Sequence, residues 1–154
     1  MKKVYLIRNC EKESVMKLYN TLGKTLPGKV AVKVHSGEVG NQNFLRPEFW
    51  KEIIETVGGT VVETNTAYSG ERNTTEKHLK TLKVHDWSEY FDTEILDDEG
   101  EDMVLDIPKG KRIKKNYVGK NTAKYDSLLV LSHFTGHPMG GYGGALKQLS
   151  IGLA

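Results

Sequence analysis

The chain has 154 residues, a formal net charge of +2 and 38% apolar residues, which suits one domain with a sizeable core. Its weak net charge, with acidic and basic residues mixed, argues against nucleic acid or an anionic membrane as a partner. No apolar run is long enough to span a bilayer, and the N-terminal apolar run is too short for a signal peptide. With Cys10 as the single cysteine, we expect a cytoplasmic location and no cysteine-ligated metal centre built from this chain alone.

Apolar periodicity predicts that strands and helices alternate along most of the chain. The predicted strands are 3–8, 29–34, 60–64 and 127–131, and the predicted helices are 14–22, 48–57, 74–84 and one from Ala145. Pro47 suits the first position of the second helix, and Gly58 suits its end. Thr74 or Thr75 could cap the third helix. This alternation predicts an α/β fold, in which a mainly parallel sheet is flanked by helices within a single domain, 1–154.

The pattern changes between Trp87 and Tyr117, where charged residues dominate. The acidic stretch 97–102 reads as a hairpin tip between two strand-like segments, 93–96 and 103–107, and the chain then turns basic at 108–115. We interpret residues 88–118 as a small antiparallel insertion with a charged, solvent-exposed face.

A polar, glycine-containing segment follows each predicted strand. These segments are 8–10, 33–41, 64–72 and 132–144. Ligands of parallel sheets bind beyond the carboxyl ends of the strands, so we expect a binding site where these four segments converge.

The first hypothesis for this site is an anion-binding cleft. Basic side chains and the N–H groups of a glycine-rich loop before the last helix would hold the anion, with Glu38 beside them. The candidates are Lys33, Glu38, Arg46, Arg72, Gly143, Gly144 and Lys147. Lys33 is hard to explain as a surface charge because it lies within an apolar strand.

A metal site and a docking surface are the alternatives. His35, His133 and His137 would form a three-histidine site for zinc or iron, with Glu38 as a fourth ligand. In the docking hypothesis the glycine-rich loop binds a partner chain through exposed apolar residues, Phe134, Met139 and Tyr142. Ser36 and Ser132 each adjoin a histidine, but no nucleophile elbow is present, and we do not predict a hydrolase.

Three stretches resemble one family. They are Val30–Asn41 with Arg46–Pro47; Gly58–Thr66 with Tyr68, Gly70 and Arg72; and Leu131–His137 with Gly143–Lys147. Together they resemble the domain-of-unknown-function three-six-two family of uncharacterised iron–sulfur centre proteins. The resemblance implies that Lys33, His35, Glu38, Arg46, Arg72, His133, His137 and Lys147 are site residues.

The resemblance also implies a longer architecture. Members often carry a ferredoxin-like cysteine module downstream, which would hold four-iron clusters and move electrons. This chain lacks that cysteine cluster, so it resembles a truncated member whose partner is the missing module or a second copy in a homodimer. The leading expectation is therefore the ligand-binding domain of an iron–sulfur redox protein, with an anionic small molecule as its ligand.

Overall fold

The computed structural model describes residues 3–98 and 102–153. The strands are β1 (Val30–Lys33), β2 (Thr60–Glu63), β3 (Thr93–Ile95), β4 (Met103–Asp106), β5 (Lys115–Val118), β6 (Ser127–Val130), β7 (Gly136–His137) and β8 (Gly141–Tyr142). The helices are α1 (Lys12–Leu22), α2 (Pro47–Val57), α3 (Thr75–Val84), α4 (Trp87–Tyr90) and α5 (Ala145–Ser150), with a 3₁₀ helix at Lys120–Lys124.

A four-stranded parallel sheet forms the centre of the fold, in the order β3-β2-β1-β6. Val32 of β1 lies opposite Val61 of β2 on one side and opposite Leu129 of β6 on the other. All four residues of β1 are buried, as expected for a central strand covered on both faces. The predicted α/β class, with a mainly parallel sheet and flanking helices, is confirmed.

Alternate residues of β1 face two separate apolar clusters. Val30 and Val32 join the larger one, to which α2 contributes Trp50 and Ile54. The smaller cluster, on the other face of the sheet, includes Ala31, which is 3% exposed. Because side chains alternate along a strand, one short strand contributes to both cores and fixes the register of its neighbours.

The predicted strand at 3–8 is wrong. These residues pair with no strand of the described chain, and Val4 and Leu6 are 93% and 88% exposed. Apolar composition alone does not make a strand, because a strand is stabilised by hydrogen bonds to a neighbour. In the described sheet β3 and β6 are the edge strands, and residues 3–8 extend neither edge.

The predicted antiparallel insertion is confirmed in part. β4 and β5 form a two-stranded antiparallel ribbon, but Thr93–Ile95 pairs in parallel with β2 as the fourth strand of the main sheet. Ile95 is 1% exposed, and its burial in the larger apolar cluster explains why this segment joins the sheet instead of the ribbon. The predicted hairpin between 93–96 and 103–107 is therefore wrong, and part of its acidic tip, 99–101, lies outside the described residues.

Candidate functional site

Polar side chains from β1, β2, the segments that follow them and α3 meet at the carboxyl end of the sheet. We call this group the carboxyl-edge cluster. Its members are Lys33, His35, Ser36, Glu38, Glu63, Tyr68, Arg72 and His78. The carboxyl ends of adjacent parallel strands lie at the same edge of a sheet, so the topology brings together residues that are far apart in sequence.

A buried ion pair lies at the base of the cluster. Lys33 Nζ donates to Glu63 Oε2 at 2.5 Å and to the Val34 carbonyl oxygen at 2.9 Å. Glu63 Oε1 accepts from the backbone N–H of Ser36 at 2.8 Å. Burial alone would raise the pKa of Glu63, but the nearby charges of Lys33 and Arg72 outweigh it and lower that pKa to about 2. Glu63 is therefore a carboxylate at neutral pH.

Arg72 links this buried pair to the surface. Its side chain is 7% exposed, and its Nη1 lies 3.8 Å from Glu63 Oε1. On the solvent side, Nη2 forms a salt bridge with Glu38 and donates to the Tyr68 hydroxyl at 3.2 Å. The Arg72 Nε is also buried, yet it has no hydrogen-bond partner among the described residues. The guanidinium thus has a buried, unused donor at Nε, next to a contact that reaches solvent.

Glu38 is the exposed partner in this arrangement. Its side chain is 36% exposed and also accepts from the Tyr68 hydroxyl at 3.1 Å. Burial tends to raise the pKa of Glu38, but the hydrogen bond and charge of Arg72 lower it overall. Glu38 is consequently a carboxylate that caps a buried arginine from the solvent side.

The loop that carries Glu38 is held in place at Ser36 and Gly37, the two residues before it. The Ser36 carbonyl oxygen lies 2.8 Å from His85 Nδ1 and accepts from Trp87 Nε1 at 3.2 Å. Gly37 has a φ of 89°, and a Cβ there would lie 2.7 Å from the ring of Phe44. Phe44 is itself buried against the His85 ring, with centroids 4.4 Å apart. Glycine is therefore required where the loop turns towards Arg72.

Two histidines lie beside the charged groups. His78 is fully buried, with its Nε2 3.4 Å from Ser36 Oγ and its Nδ1 without a hydrogen-bond partner in the described part. Burial lowers the pKa of His78 to about 4, against the opposing charge of Glu63. Burial also lowers the pKa of His35. Both are neutral at pH 7, so two cations and two carboxylates balance within the cluster.

The structure brings together only some of the predicted site residues. Lys33, Glu38 and Arg72 lie in the cluster with His35. Arg46 instead lies over the Phe44 ring at 4.1 Å and donates to Gln42 Oε1 at 2.8 Å.

The remaining predicted residues belong to the glycine-rich segment, which forms the β7–β8 ribbon and α5. The N–H of Gly143 donates to the Thr135 carbonyl oxygen at 2.7 Å, Gly144 precedes the six-residue helix α5, and Lys147 is exposed on that helix. No hydrogen bond or ion pair joins these three to the cluster within the described residues.

The three-histidine arrangement is not formed in this structure. Across residues 3–98 and 102–153, no three or more His, Cys, Asp or Glu side chains are grouped as a metal ion would need. His137 Nδ1 accepts from the N–H of Gly140 at 3.0 Å, which stabilises a turn. Cys10 is exposed and, as the sole cysteine, does not supply the four thiolates of an iron–sulfur cluster.

The residues named in the docking hypothesis are exposed. Phe134, Met139 and Tyr142 are 72%, 92% and 52% exposed, and the rings of Phe134 and Tyr142 stack with centroids 5.8 Å apart. An open cavity of about 310 Å³ lies between Met139, Tyr142 and α5. Its exposed apolar lining is compatible with docking but does not identify an occupant.

Sequence reasoning missed Glu63 and His78. Glu63 ends a strand next to the one that Lys33 ends, and a lysine and a glutamate at neighbouring carboxyl ends are a signal for such a pair. His78 gave no comparable signal. In the sequence it looks like any polar residue of a helix, and its burial depends on how α3 packs.

A family model described as Domain of unknown function (DUF362) matches residues 30–154, about four-fifths of the chain. The matched range contains the whole carboxyl-edge cluster. Searches of curated proteins and of solved structures found no match. No helix in the described ranges is both long enough and apolar enough to cross a membrane.

Proposed function

We propose that this chain, which belongs to the Domain of unknown function (DUF362) family, binds a small molecule through a carboxylate or phosphate at the carboxyl edge of its sheet. Arg72 is the main contact, and Glu38 occupies the place of the ligand anion when no ligand is bound. The family description assigns no activity, so the proposal is based on the site.

The observation that carries the proposal is the incomplete pairing of the Arg72 guanidinium. Its Nη2 is paired with Glu38, while its buried Nε has no partner among the described residues. A buried donor without a partner costs roughly 1–3 kcal/mol. A carboxylate or phosphate can accept from Nε and a terminal nitrogen at the same time, which would satisfy both donors.

Glu38 and Glu63 differ in their ability to leave Arg72. Glu63 is 2% exposed and is also bonded to Lys33 and Ser36, so its displacement would strand a buried charge. Glu38 is partly exposed and can regain hydration in water. When Glu38 moves away, the remaining cluster of Lys33, Arg72 and Glu63 carries one net positive charge, which favours an anion.

We extend the proposal to a redox partner and to a cytoplasmic location. A redox role would depend on electron delivery by a separate iron–sulfur module, because this chain has one cysteine. The resemblance described above supports that part, and the low cysteine count supports a cytoplasmic location. No step of electron transfer is assigned to these residues.

Calorimetric titration with inorganic phosphate and with citrate tests the proposal in two variants. Glu38→Gln removes the competing charge. We expect this variant to bind whichever of the two anions the parent binds more tightly about threefold more tightly than the parent does, because a partly exposed ion pair is worth roughly 1 kcal/mol or less. Arg72→Lys keeps the charge but loses the planar fork, and should weaken binding about tenfold or more.

Glu13→Gln is the matched control, since it also removes one negative charge but lies on α1. It should leave the affinity within about twofold of the parent. Equal tightening by Glu13→Gln and Glu38→Gln would indicate a general charge effect and contradict the proposal. Weaker binding in Glu38→Gln would contradict it as well, because Glu38 would then contact the ligand or hold the site together.

A further inference from the structure

Charge is unevenly distributed along the chain. Seven of the 22 lysine and arginine residues lie within residues 109–124, a stretch with no aspartate or glutamate. The other residues consequently carry a net charge of −5, although the whole chain has a net charge of only +2. Whole-chain charge therefore conceals a strongly basic segment.

The structure places most of this segment in one ribbon. β4 and β5 pair antiparallel, with Val104 opposite Tyr117 and Asp106 opposite Lys115. The N–H of Ile107 donates to the Lys114 carbonyl oxygen at 2.8 Å, which closes the tip. We call the basic residues of this end the ribbon tip; they are Lys109, Lys111, Arg112, Lys114 and Lys115. All five are exposed, and none forms a salt bridge with a described residue.

One face of the ribbon also exposes an aromatic ring next to these charges. Tyr117 is 55% exposed and Val104, opposite it, is 46% exposed. Side chains directly opposite share one face of an antiparallel pair, so Tyr117 and Lys115, two residues apart, lie on the same face. On the other face, Val118 is 5% exposed and so is covered by protein.

We propose that the β4–β5 ribbon binds single-stranded nucleic acid, with the ribbon tip on the phosphates and Tyr117 as a stacking surface for a base. A positively charged surface with an exposed aromatic ring is the combination that recognises single strands without strong sequence preference. The proposal is independent of the anion site at Arg72. It also revises the expectation from net charge that nucleic acid is not a partner, because that expectation averaged over the whole chain.

Single strands fit this surface better than an acidic polypeptide for a physical reason. Unpaired cations attract either polymer, but stacking needs a π-face, which every base supplies and which Asp and Glu side chains lack. A duplex keeps its bases stacked on one another, so Tyr117 would gain no base contact there.

Fluorescence anisotropy of the full chain with labelled oligothymidylate tests the proposal at several salt concentrations. The tip variant carries Lys111→Ala, Arg112→Ala and Lys114→Ala. The control variant has the same charge change through Lys12→Ala, Lys17→Ala and Lys24→Ala, in or next to α1. We expect the tip variant to weaken binding about tenfold or more and to reduce the salt slope by about 2, because each lost phosphate contact contributes roughly 0.7.

The stacking part is tested separately with Tyr117→Ala and Tyr117→Phe. Loss of the ring should weaken binding about fivefold or more, whereas loss of the hydroxyl alone should leave it within about twofold. Circular dichroism and thermal unfolding identify any variant that fails to fold. If Tyr117→Ala unfolds, quenching of Tyr117 fluorescence by the oligonucleotide in the parent chain, measured against the Tyr117→Phe variant, decides the stacking part instead.

Each of the following outcomes would overturn the proposal. Binding could be absent, or equally weakened in the tip and control variants. Polyglutamate or vesicles containing phosphatidylserine could bind as tightly as the oligonucleotide, which would assign the ribbon to an acidic protein or a lipid surface. Duplex DNA could bind more tightly than the single strand. Insensitivity to both Tyr117 substitutions, in folded protein, would also reject the stacking contact.

Discussion

Lys33 and Glu63 form a buried ion pair across two neighbouring parallel strands, with 2.5 Å between Nζ and Oε2. Lys33 lies opposite Val62, so its partner is the next residue along β2. This pairing explains how a lysine is accommodated within an otherwise apolar strand. It also fixes the position of Arg72, which contacts the other oxygen of the same carboxylate.

Substitution of Lys33 by methionine should destabilise the fold strongly. The change leaves the Glu63 carboxylate buried beside Arg72 alone, and breaking a buried pair from one side costs about 3–5 kcal/mol. Urea denaturation measures the free energy of unfolding. Lys51→Met is the matched control, because Lys51 and Glu55 form an exposed pair at 3.8 Å, and that variant should change by less than about 1 kcal/mol. Similar decreases in the free energy of unfolding of the two variants would show that the buried pair contributes no more to stability than the exposed pair.

Stability should fall in two steps as the pH is lowered. His78 has a folded-state pKa of about 4, below its ordinary 6.5, so the unfolded state binds the proton first and stability is lost between about pH 6.5 and 4. At roughly 1.4 kcal/mol per pKa unit, this step is about 3 kcal/mol. The pKa of Glu63 is lowered to about 2, so its contribution is present above about pH 4.5 and is lost as the pH falls towards 2.

The pH dependence is measured by urea denaturation between about pH 8 and 3 in the parent and in His78→Gln. The variant should lose most of the upper step, while the decline below pH 4.5 remains because Glu63 is retained. The charged groups that shift the pKa of His78 are Glu63, Arg72, Lys33 and Glu38. If the loss of stability between about pH 6.5 and 4 is unchanged in His78→Gln, another group causes that loss. His35 is then the first group to examine, because burial also lowers the pKa of His35.

Two glycines of the Glu38 loop should differ in their response to alanine. Gly37 and Gly40 both have positive φ, 89° and 83°, so each substitution strains the backbone by roughly 1–2 kcal/mol. Only at Gly37 would the new Cβ meet Phe44, at 2.7 Å, whereas Gly40 has open space. Thermal unfolding should show a larger loss of stability for Gly37→Ala than for Gly40→Ala. Equal losses would mean that Phe44 moves aside without cost.

Arg46 and Arg72 should differ in anion binding, although sequence reasoning grouped them. Arg46 lies over the Phe44 ring and hydrogen-bonds Gln42, so Arg46→Lys should leave phosphate or citrate affinity within about twofold. Arg72→Lys should weaken it about tenfold or more. Calorimetric titration of the two variants side by side measures the difference. Equal weakening would place both arginines on the ligand and require the loop to rearrange.

Local sequence signals predicted those elements whose boundaries depend on nearby residues. Pro47 begins α2, and Gly58 ends it in a left-handed conformation with φ 59°. The alternation of Val30, Val32 and Val34 was sufficient to predict β1 as a strand. The structure shows that all four residues of β1 are buried. Thr74, one of two candidates, is the observed cap of α3 and accepts from the N–H of Lys77.

Long-range pairing decided the elements that were predicted incorrectly. Residues 3–8 have strand-like composition but no strand partner in the described fold, and Thr93–Ile95 pairs with β2 instead of forming a hairpin with 103–107. Neither outcome is encoded within a short window, because a strand is stabilised by hydrogen bonds to a neighbour that is distant in sequence.

The same distinction applies to the site. Polar residues that follow several predicted strands indicated one shared sheet edge, and Lys33, Glu38 and Arg72 do lie together there. The sequence did not indicate that Glu63 neutralises Lys33, that Arg46 lies outside the cluster, or that His78 lies within it. Side-chain pairing depends on strand register and helix packing, and these are set by contacts between residues that the sequence separates by 30 positions or more.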